Sequence, residues 1–367
     1  MASRGPADSP VPVTSLNDTA RRILAHHREA GTPEAERARG VVANHLTALG
    51  YRVSLQRFRF HPSALLGLPI LGAGIGASAL LALPLLTLPT VPAVGALAVW
   101  ATMLAATICL AMGVAAGWLT FGEVREDANL IAVRSEAPIR RWIVAHLDSK
   151  AQGQSMAGRL VAVWVLAAAI VCSGALTVAR LWVPIPLWLG AAGGLFAVLA
   201  GALVGRGRLR GTSRGARDNG SGVVAALAFA EASSDEDTGI LITGGEEFGL
   251  VGARVFTRAQ GNLKGIEVVN FDTIDDEGHL FVVSHGSRDA ACAATVATRL
   301  QPLGLTVRTR RLPLGILVDS LPLAKAGATA VTVGRLTWRT LRVIHTPADV
   351  PESLSLEVAE RVGRAIA

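Results

Sequence analysis

Between Arg59 and Glu123 the chain carries no aspartate, glutamate, lysine or arginine. A run of that length has no charged face to turn to water. A helix needs about 20 apolar residues to cross a bilayer. The run therefore predicts two transmembrane helices, about 64–86 and 93–119, with Pro89 and Pro92 at the turn. Trp100 and Trp118 fall where aromatic rings favour headgroups. A second pair follows Arg159, about 160–179 and 185–204, with Pro184 and Pro186 at its turn and Trp182 and Trp188 beside it. Buried core helices are the competing reading, but a core helix is normally shorter and apolar on one side only.

Composition points the same way. Charged residues are 17% of the chain, against about 25% in ordinary globular domains, and hydrophobic residues are 51%. The net charge is +7. A basic chain raises the question of nucleic acid. Here the arginines sit beside apolar segments without interleaved aromatics, and Tyr51 is the only tyrosine. The expected partner is a lipid bilayer and not nucleic acid. The flanks of both hairpins carry Arg57, Arg59, Arg125, Lys150, Arg159, Arg206, Arg208, Arg210 and Arg214, whereas the distal turns carry at most Arg180. Basic flanks mark the cytoplasmic side. The expectation is an integral protein of the cell membrane whose remaining, non-apolar part faces the cytoplasm. Cys109, Cys172 and Cys292 are too scattered for a disulfide framework or a thiolate zinc site. Residues 1–12 read as a disordered tail and not as a secretory signal.

The rest of the chain alternates between two periods. Leu16–Glu29 has helical spacing, and Thr32-Pro33-Glu34 is a helix start for a helix running to about Leu49. Tyr51–Phe60 alternates as a strand. Strands are expected at 129–133, 142–145, 239–243, 265–269, 280–284, 306–310 and 330–333. Helices are expected at 223–232, after Leu250, at 290–300, 321–326 and 356–367. Strands alternating with helices define an α/β fold.

Polar residues close strand after strand: His146, Asp218, the pair Glu246 and Glu247, Asp272, and His345. Strand ends at one sheet edge are where open α/β sheets bind ligands. Two histidines and three carboxylates suit a pair of divalent metals, since zinc takes imidazole nitrogen and carboxylate oxygen. Two such ions clamp and polarise a hydrolytic water. Of two adjacent carboxylates, one can hold a metal while the other moves a proton. Asp148 stands two residues after His146, where it can orient that ring. The bland reading of Glu246 and Glu247 is a solvated acidic helix start.

In order, these residues stand as HLDSK, DNGSG, EEFGLVG, NFD and HTPAD. The series resembles the M28 family of co-catalytic zinc metallopeptidases. The resemblance covers Leu16–Phe60, Asn129–Ser149 and Arg217–Ala367, and is interrupted twice by the apolar pairs. It implies a zinc exopeptidase-like mixed sheet flanked by helices, broken by two transmembrane hairpins at 61–122 and 158–205. The peptidase domain would then comprise 13–60, 123–157 and 206–367. It further implies two zinc ions per chain and a peptide substrate, with an aminopeptidase activity. Residue by residue, Asp218 matches the carboxylate that bridges the metals. His146 and Asp272 complete one site, and Glu247 and His345 the other. Glu246 matches the general base, and Asp148 the acid that orients the first histidine. No tyrosine is placed to stabilise an oxyanion, and the family's Asp-His pair near the pocket stands here as Asp319-Ser320. Two alternatives remain at this point: a single-zinc acyltransferase similar to glutaminyl cyclases, and a non-catalytic membrane scaffold.

Overall fold

The computed structural model describes residues 15–313 and 315–367, so the tail expected at 1–12 lies outside the described residues. The first helices are α1 (Leu16–Leu24) and α2 (Pro33–Ala48), and the first strand is β1 (Arg52–Phe60). The first apolar run folds as α3 (Gly67–Thr87) and α4 (Ala93–Ala115). Strands β2 (Arg125–Val133) and β3 (Arg141–His146) precede the second apolar pair, α5 (Met156–Ala179) and α6 (Leu187–Gly205). Then come α7 (Ser221–Ala232), β4 (Thr238–Thr243), α8 (Val251–Gln260), β5 (Glu267–Ile274), β6 (His279–Ser284), α9 (Ala290–Leu300) and β7 (Val307–Arg311). The chain closes with α10 (Ser320–Lys325), β8 (Thr329–Leu336), α11 (Trp338–Val343) and α12 (Glu357–Ile366). Of these, α11 has no counterpart among the elements expected from the sequence.

The described strands form one eight-stranded sheet in the order β1-β2-β4-β3-β5-β8-β6-β7. Its centre, β4-β3-β5-β8, is parallel. Parallel strands need helical crossovers on the faces, which explains why they read as continuous apolar runs. All six residues of β4 are buried. Helix α7 covers one face and is buried from Ser221 to Ala230. Its run of small residues lets α12 approach closely. A Cβ on Gly363 of α12 would stand 2.1 Å from the Ala225 carbonyl oxygen. On the other face Trp142, Leu241, Phe256 and Leu323 form a second apolar cluster under α8 and α10.

The four apolar helices pack on one another. Ile75, Leu86, Leu166 and Val204 lie in their shared core. Helices α3 and α6 cross at Gly72 and Gly201, where a Cβ on Gly201 would stand 2.3 Å from the Gly72 carbonyl oxygen. By length and composition each of the four is long and apolar enough to cross a membrane. The α5–α6 pair leaves and rejoins the sheet domain through a narrow neck. Gly153 N donates to Arg208 O at 3.0 Å, and Arg210 N donates to Ala151 O at 3.0 Å.

Gly363→Ala must push α12 off α7, because the obstacle is backbone and no rotamer relieves it. We expect a loss of about 1–3 kcal/mol, the usual scale of overpacking. Gly40→Ala in α2, where the added Cβ meets nothing within 4 Å, should be neutral or stabilise by about 0.5–1 kcal/mol. Denaturant unfolding of the two variants checks both; equal midpoints would contradict the packing described.

Candidate metal centre

Register brings the site residues to one edge. His146 ends β3 opposite Thr243, the last residue of β4. Asn270 of β5 pairs with Val144 of β3, and Asp272 lies two residues further toward the same edge. After Thr243 the chain turns through Gly244 and Gly245, the latter at φ 65°, and delivers Glu246 and Glu247 beside His146. Gly252 belongs to this turn: a Cβ there would stand 2.3 Å from the Gly244 carbonyl oxygen. Two loops add the remaining ligands. Asp218 precedes α7, and the Asp218–Asn219 peptide is cis. His345, at φ 65°, follows α11.

Asp218 stands between the histidines. His146 Nε2 is 3.3 Å from its Oδ1, and His345 Nε2 is 3.1 Å from its Oδ2. His146, Asp218 and Asp272 present ligand atoms within 4.8 Å of one another, and Asp218, Glu247 and His345 do the same. All the sequence-predicted ligands thus meet in two groups that share Asp218. Glu246 lies beside them, with Oε2 4.0 Å from His146 Nε2.

Asp148 acts on two neighbours. Its backbone oxygen accepts from His146 Nδ1 at 3.0 Å, which fixes that ring with Nε2 facing the site. Its carboxylate lies 3.7 Å from the same nitrogen and instead accepts from the backbone N–H groups of Glu246 (3.1 Å) and Glu247 (3.0 Å). The side chain therefore holds the Glu-Glu turn, while the main chain orients the histidine.

Three further residues serve the site without having been assigned a role from the sequence. Asp349 accepts from the N–H of Arg217 (2.9 Å) and of Asp218 (3.1 Å), so the last residue of HTPAD ties His345's loop to Asp218's. Arg28, fully buried, donates to the carbonyls of Leu147 (2.7 Å) and Gly215 (2.9 Å), clamping the His146 and Asp218 loops together. Lys150 is ion-paired to Glu247. Lys150 and Asp349 lie inside motifs already legible as HLDSK and HTPAD. Arg28 has no local signal: a lone arginine after an amphipathic helix reads as surface.

The electrostatics describe a buried acidic site short of positive charge. Burial and the neighbouring Glu247, Asp319 and Asp272 carboxylates push Glu246 well above the usual range, although His146 works against this. Burial likewise raises Asp272 to about 6 and Asp319 to about 7. Burial works against Asp218 too, yet the two imidazoles hold its carboxyl far below the usual range. Burial opposes the charged form of His146, but Glu246, Asp148, Asp218 and Asp272 raise it well above an ordinary histidine. So many buried carboxylates with so few cations are costly unless metal ions neutralise them. Glu247 Oε1 and His345 Nδ1 are buried without hydrogen-bond partners. The mixed imidazole and carboxylate set suits zinc, and the residues fit two such ions.

The model of Peptidase family M28 matches residues 202–367. No curated protein matches the sequence. An aminopeptidase from Aneurinibacillus sp. strain AM-1 is a similar solved structure, with TM-score 0.55 and 14% identity, covering 96% of this chain and 92% of that one. BSAP, a zinc aminopeptidase from Bacillus subtilis, matches with TM-score 0.54 and 15% identity over 96% and 93% of the two chains. A Bacteroides thetaiotaomicron glutaminyl cyclase bound to N-acetylhistamine matches with TM-score 0.55 and 12% identity over 97% of each. At these identities the likeness establishes the fold: a mixed sheet flanked by helices.

These matches correct the membrane reading. The neighbours cover nearly the whole chain and are soluble enzymes, so they give no support for inserted transmembrane hairpins. The expected lipid-bilayer partner, cell-membrane location and cytoplasm-facing orientation fall with them. The physical reason is that helix length and hydropathy are necessary for a span and do not establish one. Both hairpins rested on those two properties.

Asp148→Ala leaves the buried N–H groups of Glu246 and Glu247 unpaired. It should cost about 1–3 kcal/mol for each in metal-free protein. Unfolding of that protein measures it, and an unchanged midpoint would remove Asp148 from the turn. The family match over 202–367 and the paired ligand groups together identify the chain as a zinc-dependent metallopeptidase that uses two zinc ions.

Proposed function

We propose that the chain is an aminopeptidase-like hydrolase in which Asp218 is shared by the two zinc ions. His146 and Asp272 hold one ion, and Glu247 and His345 hold the other. The observation that carries this reading is the position of Asp218, within 3.3 Å of His146 and 3.1 Å of His345 on opposite oxygens. Zinc in such a site polarises a peptide carbonyl and makes water acidic enough to attack at neutral pH.

The chain's own groups do the rest. Glu246 makes no side-chain hydrogen bond among the described residues, and its proton affinity is raised. A carboxylate with raised proton affinity suits a group that takes a proton from water and passes it to the leaving amine. Asp148 keeps Glu246 in place through its backbone N–H. Of the alternatives, a one-zinc cyclase shares the fold but needs only one of the two groups. A non-catalytic scaffold has no need of the unengaged Glu246 carboxylate. The aminopeptidase reading leans on the aminopeptidases among the similar structures.

Glu246→Gln should keep both zinc ions and lose turnover by about 10²-fold or more, the scale of a removed general base. Elemental analysis and a peptide-library assay read the two quantities separately. Loss of zinc from this variant would make Glu246 a ligand. In the same assay, peptides with free amino termini should be cleaved from that end, and acetylated ones spared. Cleavage of acetylated peptides at equal rate would refute the aminopeptidase assignment while leaving the hydrolase intact.

A further inference from the structure

The two metal groups share Asp218 but differ in their surroundings. Around His146 and Asp272 stand further acids, Glu246 and the buried Asp319. Around Glu247 stand cations. The Lys150 ammonium, 3% exposed, is ion-paired to Glu247 Oε2 and lies 3.4 Å from the Glu247 carbonyl oxygen. Glu247's other oxygen, Oε1, faces His345 Nε2 at 3.4 Å and has no hydrogen-bond partner. Arg159, in the first turn of α5, adds a second positive charge within electrostatic reach of Glu247 and, after it, of Glu246.

The chain fixes Lys150 where it is. Ser149 N donates to Arg28 O at 3.0 Å, and Gln152 N donates to His345 O at 2.9 Å. The segment carrying the lysine is thus tied on both sides, one tie being to the very residue that would complete the second zinc site. A lysine has three N–H donors and no acceptor, so it competes with a metal ion for carboxylate lone pairs. It also repels that ion, and more strongly in a buried site than in water.

We propose that Lys150 makes the two zinc positions unequal. By occupying Glu247 Oε2, it leaves a single carboxylate oxygen for the ion at Asp218, Glu247 and His345 and sets a positive charge against it. That ion is the weaker and exchangeable one, and the ion at His146, Asp218 and Asp272 is retained. The chain therefore carries one zinc when zinc is scarce and two when it is plentiful. The inference rests on the ligand assignment proposed above.

The test is a stepwise zinc titration of metal-free protein against a competing chromophoric chelator, which yields both dissociation constants. The wild type should load in two separated steps. Groups that touch a metal ligand act on affinity on a scale of about 10- to 100-fold, and here the sign follows from the positive charge that is removed. Lys150→Met should tighten the weaker step by a factor in that range and bring the steps together, while Lys150→Arg, which keeps the charge, should leave them apart. If the Met variant fails to fold, Lys150→Gln serves in its place. Equal constants in the wild type, or a weaker step that does not tighten when the charge is removed, would overturn the proposal. Glu247→Ala separates this from failure of the ligand assignment. Loss of the tighter ion would refute the assignment. Loss of the weaker ion, with Lys150→Met unchanged, would refute the role of Lys150 alone.

Discussion

The site depends on one carboxylate held between two imidazoles. Asp218 offers one oxygen to His146 and the other to His345, and every other feature of the centre serves to bring those three together and keep them there. They come from distant parts of the chain. His146 is placed by strand register, Asp218 by the loop into α7, and His345 by the loop after α11. What joins the loops is hydrogen bonding to backbone: Arg28 spans Leu147 and Gly215, and Asp349 takes the N–H of Asp218. Side chains that grip main chain set positions more firmly than contacts between flexible side chains do. That firmness is what a metal site needs, because its ligands must converge before any ion is bound.

The same economy governs the acids. Asp148 divides its work, with its carbonyl on the histidine and its carboxylate on the Glu-Glu turn. Glu246 and Glu247 are neighbours in sequence with opposite surroundings. Lys150 and His345 hold Glu247 charged, although burial opposes it. Burial and the neighbouring acids raise the proton affinity of Glu246. Environment, and not residue type, distinguishes the proposed ligand from the proposed base.

Much of this was legible in the sequence, because the governing signals are local. A strand that ends at a Gly turn announces where its acids will stand, and β3, β4 and β5 bring His146, the Glu246–Glu247 pair and Asp272 to one edge; Asp218 and His345, expected at strand ends too, come instead from the loops before α7 and after α11. The cap at Thr32 and Pro33 fixed the start of α2 in advance. What escaped was non-local. Arg28 acts on carbonyls from two distant loops, and no pattern near it says so. Helix α11 is a single short turn-like element without a readable apolar period. The apolar helices mark a different limit. Their existence and bounds followed from hydropathy, but a hydropathy run states what a helix avoids and not what lies against it. At the neck of the second pair, Gly153, Arg208, Arg210 and Ala151 are joined by backbone hydrogen bonds, so the chain exits and returns through adjacent backbone.

The central claim is that two metal ions share Asp218 at this edge. Crystals of the zinc-loaded protein, measured on either side of the zinc absorption edge, test it directly. The account predicts two anomalous peaks, one among His146, Asp218 and Asp272 and the other among Asp218, Glu247 and His345. A single peak at saturating zinc, or a peak that does not touch Asp218, would contradict it.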